Sequence, residues 1–175
     1  MKDLIDIAGM FTDKNNPKAA LDYVLLNDKH LVSTDTRRML VIEHNKEIEG
    51  KLLIKTGKTD PLGATKMFEG YPALNETDGT QYGLSFPDYS RILSQDTEVV
   101  YTCSDIFQAL SMYSFLAEDG TSYIDQISIA PKLKKLNAQI TNVEILKMDG
   151  RTPINLLLTL KNEVKARLVI MPIIL

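Results

Sequence analysis

The chain has 175 residues, 44% of them apolar and 25% charged, with a formal net charge of −3. That is enough apolar chain for one sizeable core or two small ones, and the charge argues against a protein that coats nucleic acid through bulk charge, while leaving room for a local basic face. No apolar run reaches the ~20 residues that span a bilayer, the opening MKDLIDIAGMF lacks the basic start and cleavage site of a signal peptide, and the single Cys103 rules out an intrachain disulfide or multi-cysteine zinc site. The expectation is a cytoplasmic protein with no membrane association and no cofactor.

Leu4, Ile5, Ala8 and Met10 or Phe11 recur at near-helical spacing, which predicts a short N-terminal helix. DKNNPK breaks it. ALDYVLLNDKHLVSTDTRRMLVIEH then reads as strand, tight turn at Asn27-Asp28, strand, polar loop and strand, and KLLIK as one strand more. Leu21, Tyr23 and Leu25 alternate with Asp22, Val24 and Leu26, so the first strand is largely apolar on both faces. Residues 56–85 are rich in Gly, Pro, Thr and Asp. The reading there is a brief helix around Leu62–Phe68 and a strand at Gln81–Ser85, or a long irregular excursion.

The pattern sharpens after residue 97. EVVYT is β-branched and reads as a strand. SDIFQALSMYSFLAEDG is the strongest helix, with Ser104 as N-cap, Asp105 in the first turn, an apolar stripe of Ile106, Ala109, Leu110, Tyr113, Leu116 and Ala117, and Gly120 at its end. DQISI reads as a strand and APKLKKLN as a short helix with Pro131 in its first turn. ITNVEILK, INLLLTL and VKARLVIM form three strands joined by tight turns. In the last of them Val164, Ala166, Leu168 and Ile170 alternate with Lys165 and Arg167. The chain is therefore α+β, an antiparallel β-sheet with a few helices packed on one face.

Nothing in the sequence resembles a catalytic engine. His30 stands beside a turn and His44 at a strand end, with no HExxH or HxH motif, so both read as surface histidines. Cys103 lacks a placed base and reads as a small buried apolar residue. GKT at Gly57–Thr59 lacks the upstream glycine of a phosphate loop, whose place Leu52 takes. The acids are scattered with no acid–base spacing. STDTRRML puts two arginines in a polar loop, read on composition as a turn whose Thr and Asp side chains bond nearby backbone. The run LVIMPIIL that ends the sequence is apolar where chain ends are usually polar, which suggests a docked tail.

Three stretches are less generic. HLVSTDTRRMLVIEH resembles the segment of bacterial DNA sliding clamps, the DNA polymerase III beta subunit family, that reads L-x-A-T-D-G-H-R-L-A. FPDYSRIL, Phe86–Leu93, is similar to the F-P-D-Y-R-R-V at the junction of those clamps' second and third domains. LVIMPIIL, Leu168–Leu175, is similar to their C-terminal V-V-M-P-M-R-L. Each is weak alone; the three occur in the family's order. The resemblance covers about residues 19–44 and 86–175 and fades over 45–85. It departs where the family's Gly-His is Thr36-Arg37 and the penultimate tail arginine is Ile174, and a family protomer has three domains where this chain has material for two at most.

The resemblance implies a reduced DNA-clamp-like fold, with residues 1–85 as a cut-down N-terminal half and 86–175 as the C-terminal-domain-like half, or one compact domain overall. It implies a non-catalytic binding protein that holds short clamp-binding peptide motifs of a DNA polymerase or other replication and repair proteins, or acts as a processivity factor. The peptide groove would be lined by Thr34, Arg38, Met39, Pro87, Arg91, Ile92, Val169, Ile170, Met171, Pro172, Ile173, Ile174 and Leu175, its apolar wall adaptable through Met171 and its arginines suited to carboxylate or polar groups at the rim. Against this stands a tail that is only an edge strand closing the core. Lys132, Lys134 and Lys135 would make weak contact with duplex DNA, or are simply solvated. Ring closure by so short a chain would require a homo-oligomer. The rival expectation is a small enzyme or structural α+β protein whose strands echo the clamp by accident.

Overall fold

The computed structural model describes residues 1–13, 19–57, 66–81, 84–93, 98–116, 131–147 and 153–170, and the chain divides into two compact units, Met1–Ser90 and Arg91–Leu175. In the first unit, helix α1 (Lys2–Gly9) buries Leu4, Ile5 and Ala8 of the predicted stripe together with Ile7, and the buried Phe11 lies just past its end. A 3₁₀ turn (Ala19–Asp22) leads into strands β1 (Val24–Leu26), β2 (His30–Thr34), β3 (Arg38–Glu43), β4 (Leu52–Ile54), β5 (Lys66–Phe68) and β6 (Tyr71–Asn75), followed by helix α2 (Glu76–Gln81). The strands run β5-β6-β4-β1-β2-β3, each pairing antiparallel.

The register explains the composition. Leu74, Leu53, Leu25, Val32 and Val41 stand opposite one another in one cross-strand row, and all are buried. Leu26, Leu31 and Ile42 form the neighbouring row, also buried. Adjacent rows point to opposite faces, so β1, β2 and β3 are covered on both sides, as their unbroken apolar runs require. A slip of one residue would exchange the two faces.

Two expectations fail here. Lys66–Phe68 is a strand, not the end of a helix, and the rest of that expected helix, Leu62–Thr65, lies outside the described residues. The cause is the turn Glu69-Gly70, with φ of 52° and 87°, which closes a two-residue hairpin on the Phe68↔Tyr71 pair. The strand expected at Gln81–Ser85 is not found among the described residues: Gln81 ends α2, Leu84 and Ser85 are irregular chain with Leu84 N–H donating to Gly79 O at 2.9 Å, and residues 82–83 lie outside the described residues. Gly79 suits α2 because a Cβ there would stand 2.8 Å from Leu53 Cδ1. The first strand begins only at Val24, since Tyr23 N–H already donates to Ala20 O at 3.2 Å and closes the 3₁₀ turn.

The second unit opens on the single turn α3 (Ser90–Leu93), whose first residue belongs to the first unit. Strand β7 (Val99–Cys103), helix α4 (Ile106–Leu116), helix α5 (Pro131–Asn137) and strands β8 (Ile140–Leu146), β9 (Ile154–Leu160) and β10 (Lys165–Ile170) follow. They pair antiparallel in the order β10-β9-β8-β7. Strand β9, paired on both sides, is buried at every position but Leu157. The strand expected at DQISI and the helix end at Gly120 lie outside the described residues, as do Ala117 and the side chains of Tyr113 and Leu116. The molecule is an α+β protein, antiparallel β-sheet with a few short helices, and no helix among the described residues is long and apolar enough to cross a membrane.

The N-cap of α4 is Asp105, not Ser104. Asp105 Oδ1 accepts the N–H groups of Phe107 at 2.7 Å and Gln108 at 3.0 Å, while Asn137 Oδ1, at the end of α5, accepts Ile106 N–H at 2.8 Å. Asn137 Nδ2 in turn donates to Asp105 Oδ2 at 2.6 Å. Three orphan amides of α4 are satisfied and the two helix ends are tied by the same pair of side chains. Asp105→Ala is expected to cost about 1–2 kcal/mol, and Asp105→Ala with Asn137→Ala less than the sum of the single changes, because the two share one network. Urea unfolding of the four proteins measures both quantities.

Candidate functional site

In the first unit, Thr34 to Met39 close the β2–β3 hairpin. Thr34 Oγ1 donates to Arg38 O at 2.8 Å and accepts Thr36 N–H at 3.2 Å. Asp35 Oδ1 accepts Arg38 N–H at 2.9 Å and Arg37 N–H at 3.3 Å. This lets Thr36 sit at φ 71°, where the hairpin needs a left-handed residue and the chain has no glycine. Asp35 Oδ2 then takes the Arg38 guanidinium, Nε at 3.2 Å and Nη2 at 2.9 Å. Thr34, Asp35 and Met39 are buried and Arg38 half-buried, whereas Thr36 and Arg37 are exposed. The expected Thr/Asp-bonded turn is therefore present, and Arg38 is part of its scaffold.

The stretch from Leu84 to Ser90 reaches the opposite end of the same hairpin. Leu84 and Phe86 are buried and Pro87 is exposed. Asp88 Oδ1 accepts Ser90 N–H at 2.9 Å and Ser90 Oγ–H at 2.7 Å, starting α3. Tyr89 lies edge-on to His30, with ring centroids 5.9 Å apart. Its hydroxyl accepts Asn27 Nδ2–H at 2.5 Å and stands 3.4 Å from His30 Nδ1. Asn27 Oδ1 accepts the N–H groups of Lys29 at 3.0 Å and His30 at 2.8 Å, shaping the β1–β2 turn. His44 Nδ1 accepts Lys46 N–H at 3.2 Å, which leaves Nε2–H to donate to Asn27 O at 2.9 Å. The two histidines read from the sequence as surface residues are thus members of one knot with Asn27 and Tyr89. Asparagine at the start of a turn was the available signal; the partner, 62 residues on, was not. Burial holds the His30 pKa below its ordinary value, with His44 and Lys29 adding to the effect and Glu43 and Asp28 opposing it. Burial likewise raises the Tyr89 hydroxyl.

In the second unit, Arg91 is exposed and Ile92 half-buried on α3. Arg167, on β10, donates from Nη1 to Ile92 O at 3.0 Å and to Leu93 O at 3.4 Å. The structure therefore brings α3 and the strand leading to the tail together. Val169 and Ile170 are buried, opposite Asn155 and Ile154; Met171, Pro172, Ile173, Ile174 and Leu175 lie outside the described residues. On α5, Leu133 and Leu136 are buried, Lys134 and Lys135 exposed and Lys132 half-buried. Cys103 is half-buried, its Sγ–H donating to Asp105 O at 3.4 Å. Among the described residues no group of three or more His, Cys, Asp or Glu side chains could hold a metal ion.

No protein-family model matches the chain, and no curated protein sequence does. Solved structures do. The chain is similar to a Helicobacter pylori beta clamp in complex with diflunisal, at 18% identity and a TM-score of 0.57, over 99% of this chain and 64% of that one. It is similar to the DNA polymerase III beta chain of Streptococcus pneumoniae, at 14% identity and a TM-score of 0.60, over 99% and 62%. It is also similar to the DNA polymerase III beta subunit of Borrelia burgdorferi in complex with a natural product, at 15% identity and a TM-score of 0.56, over 99% and 62%. The chain spans less than two thirds of each of these clamps. At such identities the likeness is one of fold: nearly the whole chain is clamp-like.

The knot predicts a pH dependence. Because folding holds the His30 pKa down, the unfolded chain binds the proton more readily, starting near its ordinary pKa of about 6.5. The stabilisation from neutral His30 is complete above that pH and is lost as pH falls toward the folded-state pKa. Urea midpoints should drop between pH 7.5 and 5.5, and His30→Gln should flatten that part of the curve. Parallel curves for the two proteins would remove His30 as the source.

Proposed function

We propose that this clamp-fold chain is a non-catalytic, cytoplasmic sliding-clamp-like binding protein, holding short apolar clamp-binding peptides of a DNA polymerase or of other replication and repair proteins. Residues 1–85 act as a reduced N-terminal half and 86–175 as the half equivalent to a clamp's C-terminal domain. The observation that carries the reading is the Arg167–Ile92 bond of 3.0 Å. It ties the second clamp-like segment, Phe86–Leu93, to the residue just before the third, Leu168–Leu175, on a turn that carries an exposed arginine and a half-buried aliphatic. Arg91 and Ile92 supply the contact with a ligand, with Pro87 exposed nearby in sequence. Within their own units, Thr34 and Met39 of the first and Val169 and Ile170 of the second would be frame more than lining, because they are buried, and Arg38 because it is bonded to Asp35. The run Met171–Leu175 supplies the apolar wall. Processivity would follow if the bound partner were a polymerase and the chain stayed on duplex DNA.

Assembly into a homo-oligomer belongs to the same reading. Strand β7 ends the strand order of the second unit and exposes Val99 (45%) and Val100 (43%). An end strand with exposed valines favours pairing with another chain.

Two experiments test the proposal. Deleting Ile173–Leu175 should abolish binding of a labelled clamp-binding peptide while leaving the melting temperature nearly unchanged. Each buried aliphatic contributes roughly 1.5–3 kcal/mol, so losing several takes a micromolar peptide out of measurable range. Arg91→Ala should weaken the same peptide with little effect on stability. A sharp fall in melting temperature on deletion, with peptide affinity of Arg91→Ala unaltered, would refute the groove. For DNA, anisotropy titration between 50 and 200 mM salt should give weak, sequence-independent binding. Replacing Lys134 and Lys135 with Ala should flatten the log–log salt slope by about 2. Tight duplex binding at high salt would contradict this.

A further inference from the structure

Helix α3 is one turn of four residues, too short to stand on its own hydrogen bonds, since forming the first turn fixes several residues for one bond. Its N-terminal end is closed by Asp88 Oδ1 on Ser90. The carbonyls at its other end have no partner within so short a helix. Arg167 takes two of them, Ile92 O at 3.0 Å and Leu93 O at 3.4 Å, through one nitrogen. A cation is also the favoured partner for the carbonyl end of a helix.

The place of Arg167 on β10 gives this bond direction. Lys165, Arg167 and Val169 share one face of the strand, and Ala166, Leu168 and Ile170 the other. The second face is wholly buried. On the first, Lys165 Nζ donates to Thr159 Oγ1 at 2.9 Å, Arg167 stands opposite Leu157, the one incompletely covered residue of β9, and Val169 comes next, ~7 Å further along. The turn carrying Arg91 and Ile92 is thus fastened to that face of β10, one alternate position before the strand runs out at Ile170.

We infer that Arg167 is a positioning residue: it fixes the single turn α3 on β10 and so sets where Arg91 and Ile92 meet the bound peptide. This rests on the peptide-binding reading above. Nothing in the three clamp-like motifs contains this arginine's role. Both bonds leave from Nη1, so what distinguishes arginine here is reach: a lysine ammonium sits on a shorter stem and would stand farther from the two carbonyls.

The test uses the full-length chain and its Arg167→Ala, Arg167→Lys and Arg167→Gln variants. Hydrogen exchange followed on fragments covering residues 86–93 and 140–160 separates local from global loosening. Arg167→Ala should raise exchange in 86–93 and leave β8 and β9 protected, and it should weaken the labelled clamp-binding peptide roughly tenfold or more, the scale of losing a charged hydrogen bond. Arg167→Lys should fall between Ala and the parent. In an Arg91→Ala background the further loss from Arg167→Ala should shrink well below tenfold, which a purely structural role would not produce. If Arg167→Ala fails to fold, the Lys and Gln variants carry the same comparison. A parent chain that binds the peptide, with an Arg167→Ala variant that binds equally well or leaves 86–93 protected, overturns the positioning role alone. A parent chain that binds no peptide overturns the peptide-binding reading and, with it, the role given to Arg167.

Discussion

Every described element of this protein is short, and its architecture depends on polar side chains that close the backbone groups left open at element ends. Strands run three to seven residues and helices four to eleven, so a large share of the amides and carbonyls sit at termini where no ladder or helical partner exists. Leaving such a group buried and unpaired costs more than a typical made bond contributes. Asn27 closes the β1–β2 turn, Asp35 the β2–β3 hairpin, Asp88 and Arg167 the two ends of α3, and Asp105 with Asn137 the start of α4. The hydrophobic rows fix which face the central strands show; these six side chains fix the β1–β2 and β2–β3 turns, both ends of α3 and the start of α4. The candidate site sits at such stops, not on the regular stretches between them.

That division explains what could be read from sequence. The central strands were legible because burial on both faces demands unbroken apolar runs, and VLL, RMLVIE and INLLLTL have them. α1 was legible from its stripe and α5 from Pro131 and two buried leucines. The β5–β6 hairpin was not, because KMF and YPALN carry no clear alternation and a two-residue turn at Glu69-Gly70 leaves only a single glycine as its mark. In sequence Ser104 and Asp105 are equally good N-caps for α4, and the choice between them is settled by Asn137, 32 residues away. The His30–Tyr89 contact escaped for the same reason. In the strand VKARLVIM the alternation correctly separated Arg167 from the buried face, but alternation cannot say that a one-turn helix waits there.

The same residues separate scaffold from contact within the clamp-like motifs. Of the two arginines in STDTRRML, Arg38 bonds Asp35 through two nitrogens and stabilises the turn, while Arg37 is exposed. Of the two apolar residues before the tail, Val169 and Ile170 are both in the core. A motif that reads in sequence as a row of surface positions is, in three dimensions, mostly buried or hydrogen-bonded frame with a few exposed side chains. This accounts for a fold likeness that extends over nearly the whole chain at identities of 14–18%: framing needs a turn of given shape and a buried aliphatic, which many residues provide, and only the contacting positions need a particular side chain.

The stretch Phe86–Leu93 is the part of the candidate site with the most unusual mechanics. Tyr89 is held to the first unit by Asn27 and His30, and Ile92 to the second by Arg167, with the division between units at Ser90 and Arg91 in between. The two holds respond differently to acid. His30 accepts from or packs on Tyr89 in its neutral form, which burial favours, so protonation opposes that hold. A guanidinium stays charged throughout the accessible range, so the hold on α3 is indifferent to pH. Acidification therefore weakens the His30 part of the first hold, leaving the Asn27–Tyr89 bond, while Ile92 keeps its seat on β10; on the proposed peptide-binding reading, affinity resting on Arg91 and Ile92 should survive a fall in pH that already lowers the stability of the first unit.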